Sequence, residues 1–448
     1  MLKKVLVANR GEIAVRIIRA CREMGIRTVA VYSEADKESL HKELADESIC
    51  IGPAVSKKSY LNVKSILEAA CLTGCDSIHP GFGFLSENAS FAKMCDEIGI
   101  KFIGPSYEMI ELMGNKSKAK ETMQRVGVPV VPGSKGLITS IDETVNLAEK
   151  NGYPVILKAS AGGGGKGIRI AYDEDELRNA YDIVRQEAKA AFNDDAIYIE
   201  KYIENPRHIE IQLLADEHGN TVHLGERDCS IQKKNQKVIE ETPSSIISDK
   251  LRKKMGDIAA KAIKQIGYSN VGTIEFLVDK NNEFYFMEMN TRIQVEHPIT
   301  EMITGVDIVK EQLRIASNEA LTITQNEISF NGHSMEARIN AEDPKNNFRP
   351  SPGKITELHM PGGNGIRVDS AIYVGYTIPP NYDAMIAKVI VHGKDRNESI
   401  QKMKSALSEF VIEGVSTNIE FLSDILNNEN FINNNYDTSF IATEFNYK

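Results

Sequence analysis

A chain of 448 residues has room for two or three domains, and its 42% apolar and 26% charged residues are those of an ordinary globular protein. The formal net charge of −10 excludes a general nucleic-acid surface, yet local basic clusters can still hold a small anion. The N-terminal apolar run is too short for a signal peptide and no later stretch is long enough to span a membrane, so the chain reads as cytoplasmic, with its six cysteines reduced and none in Cys-x-x-Cys spacing.

Residues 3–8 form an apolar strand, broken by Asn9-Arg10-Gly11. A helix with Ile13, Ile17 and Cys21 on one stripe follows, ended by Gly25, and then a strand at 28–32. This βαβ order implies a parallel sheet, and the lack of Gly-x-Gly-x-x-Gly argues against a dinucleotide and hydride transfer. A helix at 62–73 and a strand at 76–78 lead into the loop 79–88, rich in glycine and aromatics. Such loops line ligand clefts at the carboxyl ends of parallel strands; a plain turn packing its phenylalanines is the alternative. Next come a helix at 91–99, a strand at 101–103 and a helix at 113–127 carrying Lys116, Lys118 and Lys120, which also suits a solvated face.

Pro129, Pro132 and Gly133 mark a boundary. Beyond it lie a helix at 140–151, a strand at 154–160, the run Ala161-Gly-Gly-Gly-Gly-Lys-Gly167 and a strand at 168–171. Strand, glycine run and strand make a flap. A P-loop would need Ser or Thr after Lys166 and a helix behind it, and here Gly167 follows. Bare glycine backbones can approach and donate to triphosphate oxygens, with Lys158 adding a charge, which favours phosphate binding over a flexible linker. A helix at 174–192 and a strand at 196–200 close this unit.

The strand 207–214 alternates His208, Glu210 and Gln212 against Ile209, Ile211 and Leu213. Residues 226–237, polar with three lysines, read as a basic loop, and a helix follows at 249–266. Residues 272–297 are the chemically richest stretch. Two runs of aromatic and β-branched residues flank Asn281-Asn282, a hairpin whose turn, if centred there, sets Glu275 opposite Glu288 with Asn290 on the same face. Two carboxylates about 5 Å apart at an effective dielectric of about 20 repel by roughly 3 kcal/mol. A cation reverses the sign, and an oxygen-only set suits Mg²⁺. Arg292, Gln294 and Glu296 continue the polar alternation; a solvated edge strand is the alternative. A helix at 305–317, strands at 332–340, 354–360, 366–368 and 385–392, and helices at 397–410 and 417–426 give an α+β domain, with Arg338 sharing a face with Glu336 and Asn340. The tail from Asn433 reads as loose.

Taken together, a glycine flap, paired carboxylates and a strand of Arg, Gln and Glu equip a protein to use ATP and Mg²⁺ on a small anionic nucleophile. Five segments, Ala8-Asn-Arg-Gly-Glu-Ile-Ala14, His79-Pro-Gly-Phe-Gly-Phe-Leu-Ser-Glu-Asn88, the glycine run, Glu226-Arg-Asp-Cys-Ser230 and Glu288-Met-Asn-Thr-Arg-Ile-Gln-Val-Glu-His297, closely resemble biotin carboxylase, the ATP-grasp component of acetyl-CoA carboxylase and related biotin-dependent carboxylases. The resemblance covers residues 2 to at least 425 and implies a mixed α/β and α+β ATP-grasp fold. Its parts are an N-terminal βαβ parallel-sheet domain (1–115), a lid domain with the glycine flap (130–203) and a C-terminal mixed α+β domain (204–448) carrying the metal, bicarbonate and biotin sites. It implies that bicarbonate attacks the γ-phosphate of ATP to give carboxyphosphate, which then carboxylates N1′ of biotin on a carrier.

By motif, the resemblance gives Glu275, Glu288 and Asn290 to Mg²⁺ or Mn²⁺. Lys116, Lys158, His208 and Gln232 go to ATP, Gly163, Gly164, Gly165, Lys166 and Gly167 cap the triphosphate, and Glu200, Lys201, Ile203 and Leu277 line the adenine pocket. Lys237, Arg292, Gln294 and the Val295 N–H bind bicarbonate, Glu296 is the base, and Arg338 stabilises the biotin enolate, with Glu87 as its ion-pair partner and Phe82 beside biotin. Three positions depart from the family: Phe82 for Tyr, Asn235 for a frequent His, and Lys233-Lys234 for Arg-Arg, which gives up bidentate contacts. The biotin-attachment tetrapeptide is absent, so the expected partners are a biotin carboxyl carrier protein and carboxyltransferase subunits, with a homodimer whose contact face holds Arg19 and Glu23. The rivals are another bicarbonate-activating ATP-grasp ligase, such as a carbamoyl-phosphate synthase half, and a non-catalytic nucleotide-sensing subunit.

Overall fold

The computed structural model describes residues 2–134, 136–138, 140–159, 168–192 and 195–445. The chain divides into two compact units: 1–128 with 207–276 and 288–448, and 129–206 with the hairpin tip 277–287.

In the first unit, five parallel strands lie in the order Glu47–Cys50, Arg27–Tyr32, Lys4–Val7, Ser77–His79, Lys101–Phe102. Val5, Leu6, Val7, Val29, Ala30 and Val31 are fully buried, as expected of a sheet covered on both faces. The helix Gly11–Glu23 covers one face with Ile13, Ile17, Ile18 and Cys21. The strand order reverses between Lys4–Val7 and Ser77–His79, and the loops at 8–10 and 80–88 both leave there. The Asn9 amide donates to the carbonyls of Pro80 and Phe82, each at 2.7 Å. Gly81 sits against it at φ +62, where a Cβ would lie 2.9 Å from the Asn9 amide nitrogen, so a side chain there would force the two loops apart. The half-exposed edge strand Glu47–Cys50, with Glu47-Ser-Ile-Cys50 for sequence, lacks the apolar run that signals a strand. The helix expected at 113–127 is two, Tyr107–Gly114 and Lys116–Arg125, divided at Asn115, whose side chain caps the second by accepting from the Lys118 N–H at 3.0 Å.

An eight-stranded sheet carries the rest, in the order Phe284–Asn290, Asn270–Val278, Arg207–Ala215, Thr221–Lys233, Gln236–Thr242, His333–Asn340, Met385–Gly393, Ile366–Ser370. The region expected to be a basic loop is therefore two paired strands. Their turn is Lys234-Asn235, with φ +50 and +65, the pair of left-handed residues that a type I′ hairpin requires. Helices Arg396–Glu409 and Ile419–Asn427 pack on the C-terminal strands over a core that includes Met335, Val389, Val391, Leu407 and Phe421. The helix expected at 305–317 is Ile308–Ala316, and a shorter helix that the sequence did not announce precedes it. His297–Thr304 starts directly after Glu296 and ends at Gly305 with φ +72, and Ile308–Ala316 follows.

The tail is anchored, not loose. Tyr436, Phe440 and Ile441 are buried, and Phe440–Glu444 is a short helix. The Arg207 guanidinium lies 3.5 Å from the Tyr436 ring centroid, and the phenol donates to Glu241. Burial pushes that phenol well above its ordinary pKa, so it stays a donor. Tyr436→Phe should lower stability by about 1.5–3 kcal/mol in urea unfolding, the worth of one hydrogen bond to a charged acceptor; an unchanged midpoint would show that the hydroxyl contributes nothing.

The second unit is a three-stranded antiparallel sheet, Ile168–Ala171, Val155–Ala159, Ile197–Lys201, backed by the helices Ile141–Asn151 and Glu174–Phe192. Val145, Ala148, Leu157, Leu177, Val184 and Ile199 form its core. The glycine run lies outside the described residues. Among the described residues no helix is long and apolar enough to cross a membrane.

Candidate active site

Carboxylates from two strands of the first unit and from the segment before the helix His297–Thr304 converge on one ammonium, carried by a third strand. Lys237 Nζ is 2.6 Å from Glu210 Oε2, 2.5 Å from Glu296 Oε1 and 3.1 Å from Glu275 Oε1. Burial works against its charge, but the surrounding groups, Glu210, Glu296 and Glu275 among them, outweigh burial and hold its pKa well above the ordinary lysine range. Behind it lies Arg227, fully buried and paired with Glu210. Its remaining donors reach Gln212 Oε1 at 2.7 Å, Thr300 Oγ1 at 2.9 Å and Gln294 Oε1 at 3.0 Å. With a further contact to Thr273 Oγ1 at 3.4 Å, one arginine thus fixes side chains from two strands, the Gln294 loop and a helix, and each of its five N–H groups has an acceptor.

Glu296 is 2% exposed and is the shared acceptor of two cations, Lys237 and Arg338, the latter with a 2.9 Å bond to Oε2. Burial raises its pKa, and Lys237, Arg338 and Arg227 pull it down further than burial lifts it, so it rests as a carboxylate. The thiol of Cys229, 3.8 Å from Glu296 Oε1, is pushed by burial well above its ordinary pKa and stays protonated. Arg338 also bonds Glu240 at 2.6 Å. Burial lifts Glu240 to about 7 against the pull of Arg338. Glu87, expected as the partner of Arg338, instead pairs with Arg292, Nε to Oε2 at 2.9 Å, and accepts from the Thr291 N–H at 3.1 Å. The loop 80–88 carries Glu87 to the Arg292 segment, whereas Arg338 is satisfied by Glu240 on the neighbouring strand and by Glu296.

Arg292 Nη2 bonds Asn290 Oδ1 at 2.9 Å, and the Asn290 amide donates to Glu275 Oε1 at 2.9 Å. Gln294 Nε2 reaches the same Glu275 oxygen at 2.9 Å, and His208 Nε2 lies 3.0 Å from Glu275 Oε2. Burial raises the Glu275 carboxyl while Lys237 and His208 lower it, and the balance falls well below the ordinary range, so it is an anion ready to bind a cation. The other expected metal carboxylate, Glu288, is half-exposed and 3.6 Å from Lys116. The hairpin turn closes through Asp279 and Glu283, with the N–H of Asp279 2.9 Å from the Glu283 carbonyl, which centres it on Asn281 rather than on Asn281-Asn282. Glu275, Glu288 and Asn290 therefore comprise a buried anion, an accessible anion and a buried amide, hard oxygen donors whose chemistry fits Mg²⁺ or Mn²⁺. Among the described residues, two further donor sets lie close together, His208 with Glu210 and Glu275, and Glu210 with Cys229 and Glu296.

His208 is buried, its Nδ1 2.9 Å from Gln232 Nε2. Phe82 is half-buried against the first-unit core, and Lys233 pairs with Glu342 at 2.8 Å and lies 3.5 Å from the Phe348 ring, so the lysine in place of arginine keeps two partners. In the second unit, Lys158 bonds Glu200 at 2.7 Å, and the Lys201 ammonium is taken by the carbonyls of Gly152 and Tyr153 at 3.0 and 2.7 Å. Ile203 is buried and Leu277 half-buried. Gly163 to Gly167 with Lys166 fall outside the described residues. Sequence reasoning assigned no role to Glu210, Arg227, Cys229 or Glu240. The alternation of His208, Glu210 and Gln212 and the motif Glu226-Arg-Asp-Cys-Ser230 carried the signal for the first three; Glu240 gave none.

Comparison with known proteins gives three family matches. Residues 1–110 match the biotin carboxylase N-terminal domain, 115–324 the ATP-binding domain of the carbamoyl-phosphate synthase L chain, and 336–443 the biotin carboxylase C-terminal domain. The chain is 59% identical over 444 residues to biotin carboxylase 1 of Bacillus subtilis, covering 99% of each chain. It is similar in structure to the biotin carboxylase domain of a thermophilic 2-oxoglutarate carboxylase bound to bicarbonate (TM-score 0.95, 50% identity, 99% of this chain and 98% of that one). It is similar also to the Hydrogenobacter thermophilus 2-oxoglutarate carboxylase biotin carboxylase domain dimer in complex with MgADP, ADP and bicarbonate (TM-score 0.89, 51% identity, 99% and 98%).

Proposed function

Because the chain belongs to the biotin carboxylase family, with the ATP-grasp fold of that family, we propose that its buried cluster performs the ATP- and bicarbonate-dependent carboxylation of biotin on a separate carrier. The enzyme is an ATP-dependent ligase that uses ATP, Mg²⁺ and biotin. One observation carries the assignment of the reacting centre: a nearly inaccessible carboxylate, Glu296, lies between the Lys237 and Arg338 cations at the end of the segment that presents Arg292 and Gln294.

A bicarbonate ion bound by Lys237, Arg292, Gln294 and the Val295 N–H would sit against Glu296. In its resting state Glu296 is a weak base, because Lys237 and Arg338 hold its charge. An anion that takes hydrogen bonds from Lys237 dilutes that pull and raises the proton affinity of Glu296 as the substrate arrives. Glu296 then accepts the bicarbonate proton, the freed oxygen forms a bond to the γ-phosphorus, and the bond to ADP breaks, giving carboxyphosphate. Carboxyphosphate splits to CO₂ and phosphate, phosphate takes the N1′ proton of biotin, and Arg338 holds the enolate oxygen while the nitrogen attacks CO₂. Glu275, Glu288 and Asn290 would hold Mg²⁺ or Mn²⁺, which supplies charge neutralisation for the phosphates when bound. Lys116, Lys158, His208 and Gln232 are assigned to the phosphates and ribose, glycines 163–167 with Lys166 to the cap, and Glu200, Lys201, Ile203 and Leu277 to the adenine. Phe82 and Glu87 are assigned to the biotin side, Glu87 acting through Arg292.

The domain reading 1–115, 130–203 and 204–448 belongs with this proposal, as do a carrier protein, carboxyltransferase subunits and a homodimer. Arg19 is exposed on its helix, and Glu23 pairs with Lys310 at 2.6 Å, which leaves Arg19 the more available of the two for a second copy. The rival ligase reading accounts for 115–324, while the flanking matches at 1–110 and 336–443 are to biotin carboxylase. The nucleotide-sensing reading predicts loss of a reacting group, and Glu296, Lys237 and Glu275 are all in place. The test is ADP release from MgATP and bicarbonate with and without free biotin. Release that requires bicarbonate and rises with biotin supports the reading; release indifferent to biotin points to another bicarbonate-activating ligase, and none at all to a sensing subunit.

A further inference from the structure

Two fully buried side chains hold the main chain of 294–296 from behind. His297 opens the helix His297–Thr304, and its Nδ1 lies 2.7 Å from the Gln294 carbonyl oxygen. A carbonyl oxygen only accepts, so the ring proton sits on Nδ1. The ring is neutral, because burial, and then the cations Lys388, Arg16 and Arg367, lower its pKa well below the ordinary value. Lys388, opposite Arg338 in the ladder between His333–Asn340 and Met385–Gly393, donates to the Val295 carbonyl at 2.8 Å. Its charge is balanced by Glu12 Oε1 at 3.2 Å and Asp369 Oδ2 at 3.9 Å. Withdrawing an ammonium wholly from water costs several kcal/mol. Here the two carboxylates offset that cost, and the contact to the main chain falls on Val295.

The two carbonyls belong to the peptide groups on either side of residue 295. The Gln294 carbonyl shares its group with the Val295 N–H, so accepting from His297 polarises that group and strengthens the N–H as a donor. The bond from Lys388 fixes the plane of the next peptide, which leads into Glu296. We infer that His297 and Lys388 are positioning residues for bicarbonate, clamping the main chain at Val295 so that its N–H meets the anion with Glu296 alongside. The inference rests on the bicarbonate reading of Lys237, Arg292 and Val295 given above, and it extends that site to two groups that touch no substrate.

The test uses bicarbonate and ATP saturation of biotin-dependent ADP release by the full chain. His297→Leu keeps the volume and removes the donor; His297→Asn restores an N–H near Nδ1; His297→Gln offers one near Nε2, which has no hydrogen-bond partner among the described residues. His297→Leu should raise the bicarbonate KM about tenfold, one hydrogen bond's worth, with the ATP KM unchanged and Asn recovering most of the loss. The charge-balanced pair Lys388→Met with Glu12→Gln should raise the bicarbonate KM in the same way. A purely structural role would reduce the folded fraction, and so the rate per total protein, without moving KM. An unchanged bicarbonate KM in His297→Leu, or an ATP KM that rises in parallel, overturns the inference. If the Leu variant does not fold, Asn and Gln decide: Asn near wild type with Gln impaired supports the clamp, and equal behaviour removes it. Wild-type protein without bicarbonate dependence would instead defeat the functional reading, and the clamp with it.

Discussion

Glu296→Gln should reduce biotin carboxylation by roughly 10²–10⁴-fold, the usual worth of a general base, while nucleotide affinity stays at the wild-type level. The amide keeps the volume and one acceptor for Lys237 or Arg338 but cannot take a proton at neutral pH. It also leaves the two cations to share one fewer anion, with Glu210 and Glu275 still against Lys237 and Glu240 still against Arg338. The site should therefore stay folded, and the loss should appear in turnover. Calorimetric titration with a non-hydrolysable ATP analogue, run beside ADP-release kinetics, separates the two effects. Turnover at the wild-type rate would take Glu296 out of the mechanism. The pH dependence has a fixed sign. The folded-state pKa of Glu296 is lowered, so the stabilisation from its ion pairs is complete above the ordinary glutamate range and is lost as pH falls through the lowered value. The stability gap between wild type and the Gln variant should accordingly narrow on acidification.

The second large effect is on stability. Arg227→Met should cost roughly 3–5 kcal/mol, because it strands Glu210 in a fully buried position with Lys237 as its remaining cation. Burial already raises the Glu210 carboxyl, with Arg227 and then Lys237 among the groups that counter it. Removing the guanidinium also leaves Gln212, Gln294 and Thr300 each short of a donor contact. Adding Glu210→Gln should recover part of the loss, since a neutral amide is cheaper to bury alone than a carboxylate. Urea unfolding of the wild type, the single variants and the pair measures this directly. A loss below about 1 kcal/mol for Arg227→Met would mean that water or a neighbouring cation replaces the guanidinium at little cost. The same variant should weaken bicarbonate binding, because Arg227 holds Gln294 in place.

Local pattern made much of the architecture legible. The apolar strand 3–8, the stripe Ile13, Ile17, Cys21 and the strand that follows Gly25 specify a βαβ unit because each reflects one backbone period. The helices at 174–192 and 249–266 match the observed bounds because long amphipathic runs average out local ambiguity. The failures share a cause. The polar residues 226–237 read as a loop because a strand buried on both faces is expected to be apolar; here its polar side chains are buried against one another, with Arg227 and Glu210 neutralising each other. The helix His297–Thr304 was missed in front of the one expected at 305–317, and the split at Asn115 was hidden by continuous helical periodicity across a single capping residue. The tail looked loose because Asn433-Asn434-Asn435 dominate its composition, while Tyr436 and Phe440 supply the anchor.

For the site, the sequence by itself determined which chemistry was present: Glu275, the series Glu288, Asn290, Arg292, Gln294 and Glu296 at two-residue spacing, the glycine run, and motifs long enough to identify a family. It could not determine which charge meets which. With 53 basic and 63 acidic side chains, pairings far apart in sequence are not constrained by any local period. Only the tertiary structure put Glu87 on Arg292, gave Arg338 to Glu240 and Glu296, set Arg227 behind Lys237, and brought Glu12 and Lys388, 376 residues apart by their numbers, to the back of Val295. The physical reason is that a buried ion pair is specified by strand register and sheet order, which are global properties, whereas the residue types that enter it are set one position at a time.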